Sequence, residues 1–331
     1  MGESNQTIGI RLTASAVGLG KQIDQKAPTG MIDARKYLAA LLFLLATSLS
    51  MAPHASGEAP AEDDSGPSSA DEIAAQLANP NATLGFMTVT FDTIAYKGDI
   101  PGAGDEQAWK MNFQPSLPYP ISDNMNLFVR PLIPVLVDQP VPVIDDQPLP
   151  PPDLGAENFT SQGVELGDIS FDVAIGKTLS NGTVLFGGLV ATLPTATNDA
   201  VGLDQYLLGP ELYVGQVKDW GAYGVLLTHQ WDVAGEDSFN TSITGGQYFF
   251  TYNLENAWQI QMTPTFTYNH EAESGSELSF PLGVGIAKTA IFGKTPVKFN
   301  LQYWQYVESP NAFGSDWQIR FNITPVVPLP W

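Results

Sequence analysis

From Leu84 onward the chain alternates apolar and polar residues with a period of two, and that period limits what it can fold into. In the last segment Trp317, Ile319, Phe321, Ile323, Pro325, Val327, Leu329 and Trp331 share one parity, and Gln318, Arg320, Asn322 and Thr324 the other. Successive side chains of a strand point to opposite faces, so such a segment has one face for an apolar surrounding and one for water. The pattern recurs in Trp109, Met111 and Phe113 against Lys110, Asn112 and Gln114, and in Ile169, Phe171, Val173 and Ile175 against Ser170, Asp172, Ala174 and Gly176. It recurs in Trp258, Ile260, Met262, Phe266 and Tyr268 against Gln259, Gln261, Thr263, Thr265, Thr267 and Asn269, and in Val297, Phe299, Leu301 and Tyr303 against Lys298, Asn300 and Gln302. Two stretches are less regular. Residues 239–252 keep consistent faces only with a bulge near Gly245-Gly246. In Thr183–Leu193 the faces are not assignable.

About twelve strands follow from this, starting near residues 84, 109, 125, 167, 182, 205, 221, 239, 257, 276, 295 and 316. Most are long enough for the ~9–11 residues that a tilted membrane-crossing strand needs, whereas strands of soluble sandwiches average ~5–6. The connections alternate. Short ones fall at 118–124, 178–181, 218–220, 253–256 and 291–294; longer ones fall at 97–108, 138–165, 194–204, 232–238, 270–275 and 308–315. Short inner turns and long outer loops mark bacterial transmembrane barrels, as do aromatic residues at strand ends such as Trp220, Trp231, Tyr252 and Tyr268. In hydrocarbon every backbone polar group needs a partner within the protein, so the sheet must close. The expectation is an all-β, closed, antiparallel transmembrane β-barrel over 84–331, in the outer membrane of a Gram-negative bacterium.

Upstream, Arg35 and Lys36 precede an apolar run from Tyr37 to Ala46, and Ala55, Ser56 and Gly57 follow it. That order is a secretory signal, and 1–57 is read as leader and signal peptide, with Met31 as a second candidate start. Residues 58–83, rich in Ala, Pro and acids, read as a flexible linker. Within it 71–78 form a short helix ended by Asn79-Pro80. The net charge of −21 excludes nucleic acid as a partner, since a phosphate backbone needs a basic face. Cysteine is absent, which excludes disulfides and a lipoprotein anchor.

Several segments also resemble one family. They are Glu72-Ile73-Ala74-Ala75-Gln76-Leu77-Ala78-Asn79-Pro80, Asn112-Phe113-Gln114-Pro115, Asn126-Leu127-Phe128-Val129-Arg130-Pro131, Leu193-Pro194-Thr195-Ala196-Thr197, Leu208-Gly209-Pro210 and Asp316-Trp317-Gln318-Ile319-Arg320-Phe321. The family is the outer-membrane barrels labelled "MetA-pathway of phenol degradation", regarded as transporters. The resemblance runs from about 72 to 331 in order. It implies an outer-membrane barrel that passes small, aromatic or hydrophobic compounds, with no catalytic motif to carry over.

The inward parity defines a candidate lumen lined by Lys110, Arg130, Asp172, Glu211, Lys298 and Arg320. The four bases lie on strands two, three, eleven and twelve, which closure gathers into one basic flank; Asp172 and Glu211 face it from the opposite wall. Either these charges pair across a filled interior or they leave a transverse field in an open one. The outer loops are acidic. Asp145, Asp146 and Asp153 in the longest loop are candidate ligands for divalent cations, which favour several carboxylate oxygens; a solvated acidic surface is the plainer reading. His229 and His270 lie at outer strand ends without a serine motif beside them. No enzyme and no cofactor beyond such cations is expected. The leading function is a passive channel for small solutes. Its rivals are a structural or adhesive barrel and an outer-membrane lipid hydrolase. Expected partners are outer-membrane lipid, the small solutes, and the barrel-assembly machinery, reached through the C-terminal strand.

Overall fold

The computed structural model describes residues 69–143, 158–161, 163–329 and 331. The expected signal peptide lies outside them.

The long strands are β1 (Gly85–Lys97), β2 (Gln107–Ser116), β4 (Met125–Val137), β8 (Ile169–Thr178), β9 (Thr183–Leu193), β10 (Gln205–Lys218), β11 (Gly221–Gly235), β12 (Ser242–Asn253), β15 (Leu278–Phe292), β16 (Thr295–Glu308) and β17 (Gly314–Val327). One further stave comes in two parts, β13 (Trp258–Met262) and β14 (Thr265–Asn269). Each stave pairs antiparallel with its chain neighbours, and β17 pairs with β1 from Gly85↔Val327 to Lys97↔Gly314. The result is a closed barrel of twelve staves. Short β3 (Tyr119–Ser122) and β7 (Val164–Leu166) pair with β4, while β5 (Pro140–Pro142) and β6 (Phe159–Ser161) pair with each other in the longest loop.

Burial runs opposite to that of a soluble protein. Leu212 is 63% exposed, Val284 60% and Leu189 56%, while Glu211, Asp92 and Gln302 are each 2% exposed. Leaving the leucines out costs nothing only if their surroundings are apolar, and that is the signature of a lipid-facing wall around a polar interior. A closed barrel with this inversion belongs in the outer membrane of a Gram-negative bacterium. Among the described residues no helix is long and apolar enough to cross a membrane; the strands do the crossing.

The expected bulge at Gly245-Gly246 is not there. β12 keeps one register against β11 and against both halves of the next stave. The irregularity lies next door. Pro264 has no N–H to give a ladder, so the stave breaks between β13 and β14. β13 and β14 meet β15 only at 258–260 and at 267–268. Across the gap, Thr263 N donates instead to Gln302 Oε1 at 2.8 Å. Register shifts fall at Ala95/Tyr96, Tyr206/Leu207 and Phe280/Pro281.

Helix α1 (Ala70–Ala78) precedes the barrel. Asp71 and Glu72 in its first turn suit the positive end of the helix dipole, its Ala, Leu and Gln residues favour helix, and Pro80 stops it. Ile73, Ala74 and Ala78 are buried. The helix lies against β11, β12, β13, β15 and β16 at the short-turn end. The described part of the expected flexible linker is therefore docked in the mouth.

Candidate functional site

Alternation puts every second residue of each stave inside. On the wall formed by β16, β17, β1 and β2, register lines these residues up in rows. Asn300, Asn322, Thr90 and Asn112 form one row; Gln302, Arg320, Asp92 and Lys110 form the next. Lys298 and Thr324 begin a third, nearer the short turns. Arg320 holds Asp92 through two bonds, Nε to Oδ1 at 2.7 Å and Nη2 to Oδ2 at 2.8 Å. Its guanidinium lies over the fully buried Trp304, 4.2 Å from the ring centroid. Two parallel bonds fix the planar group better than one ammonium contact would.

The wall from β4 to β12 is different. Arg130 Nε donates to Asp172 Oδ2 at 2.9 Å on the adjacent stave. Its Nη2 reaches Glu211 Oε1 at 2.9 Å on β10, two staves further on. Beside this triad runs a row of rings, Phe128, Phe186, Tyr213 and Phe249, with successive centroids 5.1, 4.9 and 5.5 Å apart. Inward glycines make room for it. A Cβ on Gly176 would meet the Phe186 ring, and one on Gly215 or Gly224 would meet the Tyr213 hydroxyl. The rings therefore lie back against the wall, in the recesses that missing side chains leave.

The sequence reading placed all six lumen residues on the inward parity, but its two-wall charge separation does not hold. Asp172 and Glu211 sit against Arg130 rather than across from it, because the fourth strand is next to the third. Arg320 is neutralised by Asp92, a residue the sequence reading missed. Asp92 shares its parity with Thr88 and Thr90, so the alternation of β1 already pointed it inward. Of the basic flank, Lys110 stands across the strand pair from Asp92, and Lys298 makes no ion pair among the described residues. The wider polar rows, from Asn300 through Gln302, were visible only as alternation.

Both ends of the barrel are furnished. At the long-loop end Phe159 of β6 packs on Phe313, with centroids 4.8 Å apart, and Phe313 stacks on Tyr96 at 4.5 Å. Gln139 Nε2 donates to the Tyr96 hydroxyl at 2.9 Å. Val141 is buried with Leu136, Ala200 and Val201. Asp145, Asp146 and Asp153 lie outside the described residues, among which no group of three or more His, Asp or Glu is placed to hold a metal. His229 Nδ1 and His270 Nε2 each lie 2.8 Å from the Thr244 hydroxyl, a pairing that their sequence separation hid.

Taken together, the closed sheet, the lipid-facing leucines and the polar rows define an outer-membrane β-barrel of the porin-like kind. No family model and no curated protein matches the chain, so the resemblance to the phenol-degradation barrels rests on its motifs alone. Solved structures do match. The COG4313 outer membrane channel from Pseudomonas putida F1 is 13% identical over 74% of this chain and 96% of that one, with a TM-score of 0.55. That similarity is one of fold. The NanC porin, 8% identical over 73% of this chain and 100% of that one, aligns more loosely, at a TM-score of 0.45.

Proposed function

We propose that the barrel is a passive channel for small solutes with an apolar, commonly aromatic, body and a polar edge. One observation carries this reading: the interior has two chemistries, a row of rings along β4 to β12 and rows of Asn, Gln and Thr along β16 to β2. Phe128, Phe186 and Tyr213 are each 5% exposed or less, so a phenol-like solute reaches this row only as interior side chains give way, starting from the partly exposed Phe249, while its hydroxyl exchanges partners along the amides. Ring contacts and neutral hydrogen bonds are each worth only about 1 kcal/mol net. Passage needs binding of that kind, repeated and weak enough to leave. The motif resemblance points to the same class of compound.

The test is solute entry into proteoliposomes, comparing phenol with a sugar of larger size and full polarity. Faster entry of phenol, slowed when Tyr213 and Phe249 are replaced by Ala, is the expected result. Equal leakage from protein-free vesicles and proteoliposomes would remove the channel reading and leave the structural or adhesive barrel, which the buried interior and furnished ends favour. The lipid-facing parity of β17 runs to Trp331, whose indole donates to Pro118 O at 3.2 Å. We assign this strand to recognition by the assembly machinery.

A further inference from the structure

The stretch after the start of α1 crosses the short-turn mouth from wall to wall. Asp71 Oδ1 accepts from Ala257 N at 2.6 Å, and Gln259 Nε2 donates to Ala74 O at 2.9 Å. These bonds tie the helix to the start of β13. Past the helix, Asn126 Nδ2 donates to Asn81 O at 2.9 Å, and Asn81 Nδ2 donates to Thr178 Oγ1 at 2.8 Å. These bonds tie the chain to β4 and β8. In the order of the sheet β4 and the β13–β14 stave are half a circuit apart.

The lengths agree with a full crossing. Twelve strands about 4.8 Å apart, tilted by about 40°, enclose a cylinder roughly 24 Å across between backbones. From Ala74 to Asn81 the chain covers at most about 16 Å, part helix and part extended. The inward arms of Gln259 and Asn126 supply the remainder, and both are almost wholly buried. The far wall is cut to receive Asn81, since a Cβ on Gly176 would sit 2.5 Å from its Oδ1.

We propose that residues 71–81 form a strut that closes the periplasmic mouth and must leave its ties for solutes to pass. The proposal rests on the channel reading above. The ties are hydrogen bonds that water can replace, and the apolar part of the dock is confined to Ile73, Ala74 and Ala78. A helix of this length does not hold itself together away from its neighbours, so the strut leaves by unwinding into the periplasm. Each tie removed should multiply the undocked population about fivefold.

The chain has no cysteine, so a single Thr289→Cys can report on the mouth in the full mature protein. Thr289 points inward, its hydroxyl has no partner, and its N–H donates to Ala257 O beside the Asp71 tie. Its rate of modification by a small charged thiol reagent is measured with and without Gln259→Ala plus Asn126→Ala, one tie cut at each end. The expected rise is about 25-fold. Should that double variant not fold, Asn81→Ala, which leaves the wall intact, gives the same comparison at about fivefold. Equal rates overturn the strut. Planar-bilayer current on the same proteins keeps the two readings apart. Faster labelling with no current in any variant would leave the strut and remove the channel. Equal labelling with equal current through all variants would remove the strut and leave the channel.

Discussion

Replacing Arg130 by Ala strips one cation from a site that holds two carboxylates. In the native barrel Arg130 bonds Asp172 and Glu211 at 2.9 Å each, and Glu211 keeps only 2% of its side-chain exposure. Removing one partner of a buried pair typically costs about 3–5 kcal/mol, because the charge left behind has lost its water as well. At roughly 2–4 °C per kcal/mol for a chain of this size, the unfolding midpoint should fall by on the order of 10 °C. The barrel also gains one net negative charge inside, so its current should become more cation-selective unless the carboxyls take up protons. The assays are heat-dependent mobility in gels for stability and reversal potential across a salt gradient for selectivity. A triple variant, Arg130→Ala with Asp172→Asn and Glu211→Gln, removes all charge from the site and should recover most of both losses. If Arg130→Ala unfolds and conducts like the native protein, or if the triple variant recovers neither property, then the triad does not act as a neutralised buried cluster. Arg130→Lys should fall in between, since one ammonium cannot hold two carboxylates in a fixed plane.

Gln302→Ala should leave the Thr263 N–H without a partner at the Pro264 break, costing about 1–3 kcal/mol in urea unfolding. A Gln302→Ala barrel as stable as the native one would mean that water fills the gap. Gly215→Val should drive the Tyr213 ring out of its recess, lowering folding yield and slowing phenol entry in proteoliposomes; unchanged entry would show that the ring row is not on the path. If divalent cations bridge the outer loops, a chelator should lower the melting point, and an unchanged midpoint would dismiss the cation sites at Asp145, Asp146 and Asp153.

The fold was legible where the two faces of a strand meet different solvents. β17 shows this best, with Trp317 to Val327 outside and Gln318 to Thr324 inside. Legibility failed where the interior itself is apolar. β9 carries Val184, Phe186 and Val190 inward and Leu185 and Leu189 outward, so both faces read alike. In β12 the inward Phe249 and the outward Phe250 stand side by side, so both faces read alike there too, and the bulge expected near Gly245-Gly246 does not exist. The break lies instead at Pro264, where the alternation runs on unbroken in the sequence although the residue has no N–H for the ladder. The charge pairs were hidden for another reason. Parity tells which side of the sheet a residue takes, but which inward charges touch depends on register, and register is set by closure between β1 and β17.

Selectivity follows from how charge is distributed along the barrel. Inside, Arg320 pairs with Asp92 and Arg130 with Asp172 and Glu211, and the inward Lys110 and Lys298 bring these seven charges to four positive against three negative, so the interior carries little net field and none that favours cations. The large excess of acid, −21 overall, includes the loops at the long-loop mouth: Asp99, Asp105, Asp138, Glu165, Asp237, Glu271 and Glu273. A rim of one sign concentrates ions of the other before they enter. Such a field acts through water, over a screening length of about 8 Å at 0.15 M salt and about 3 Å at 1 M. Cation preference set at the rim should therefore fade as salt rises, whereas preference set by buried groups inside should persist. Reversal potentials measured at fixed salt ratio but rising total concentration separate the two origins. A cation preference that is unchanged at 1 M would place the selecting charge inside the barrel and contradict the nearly balanced interior argued from these seven charges.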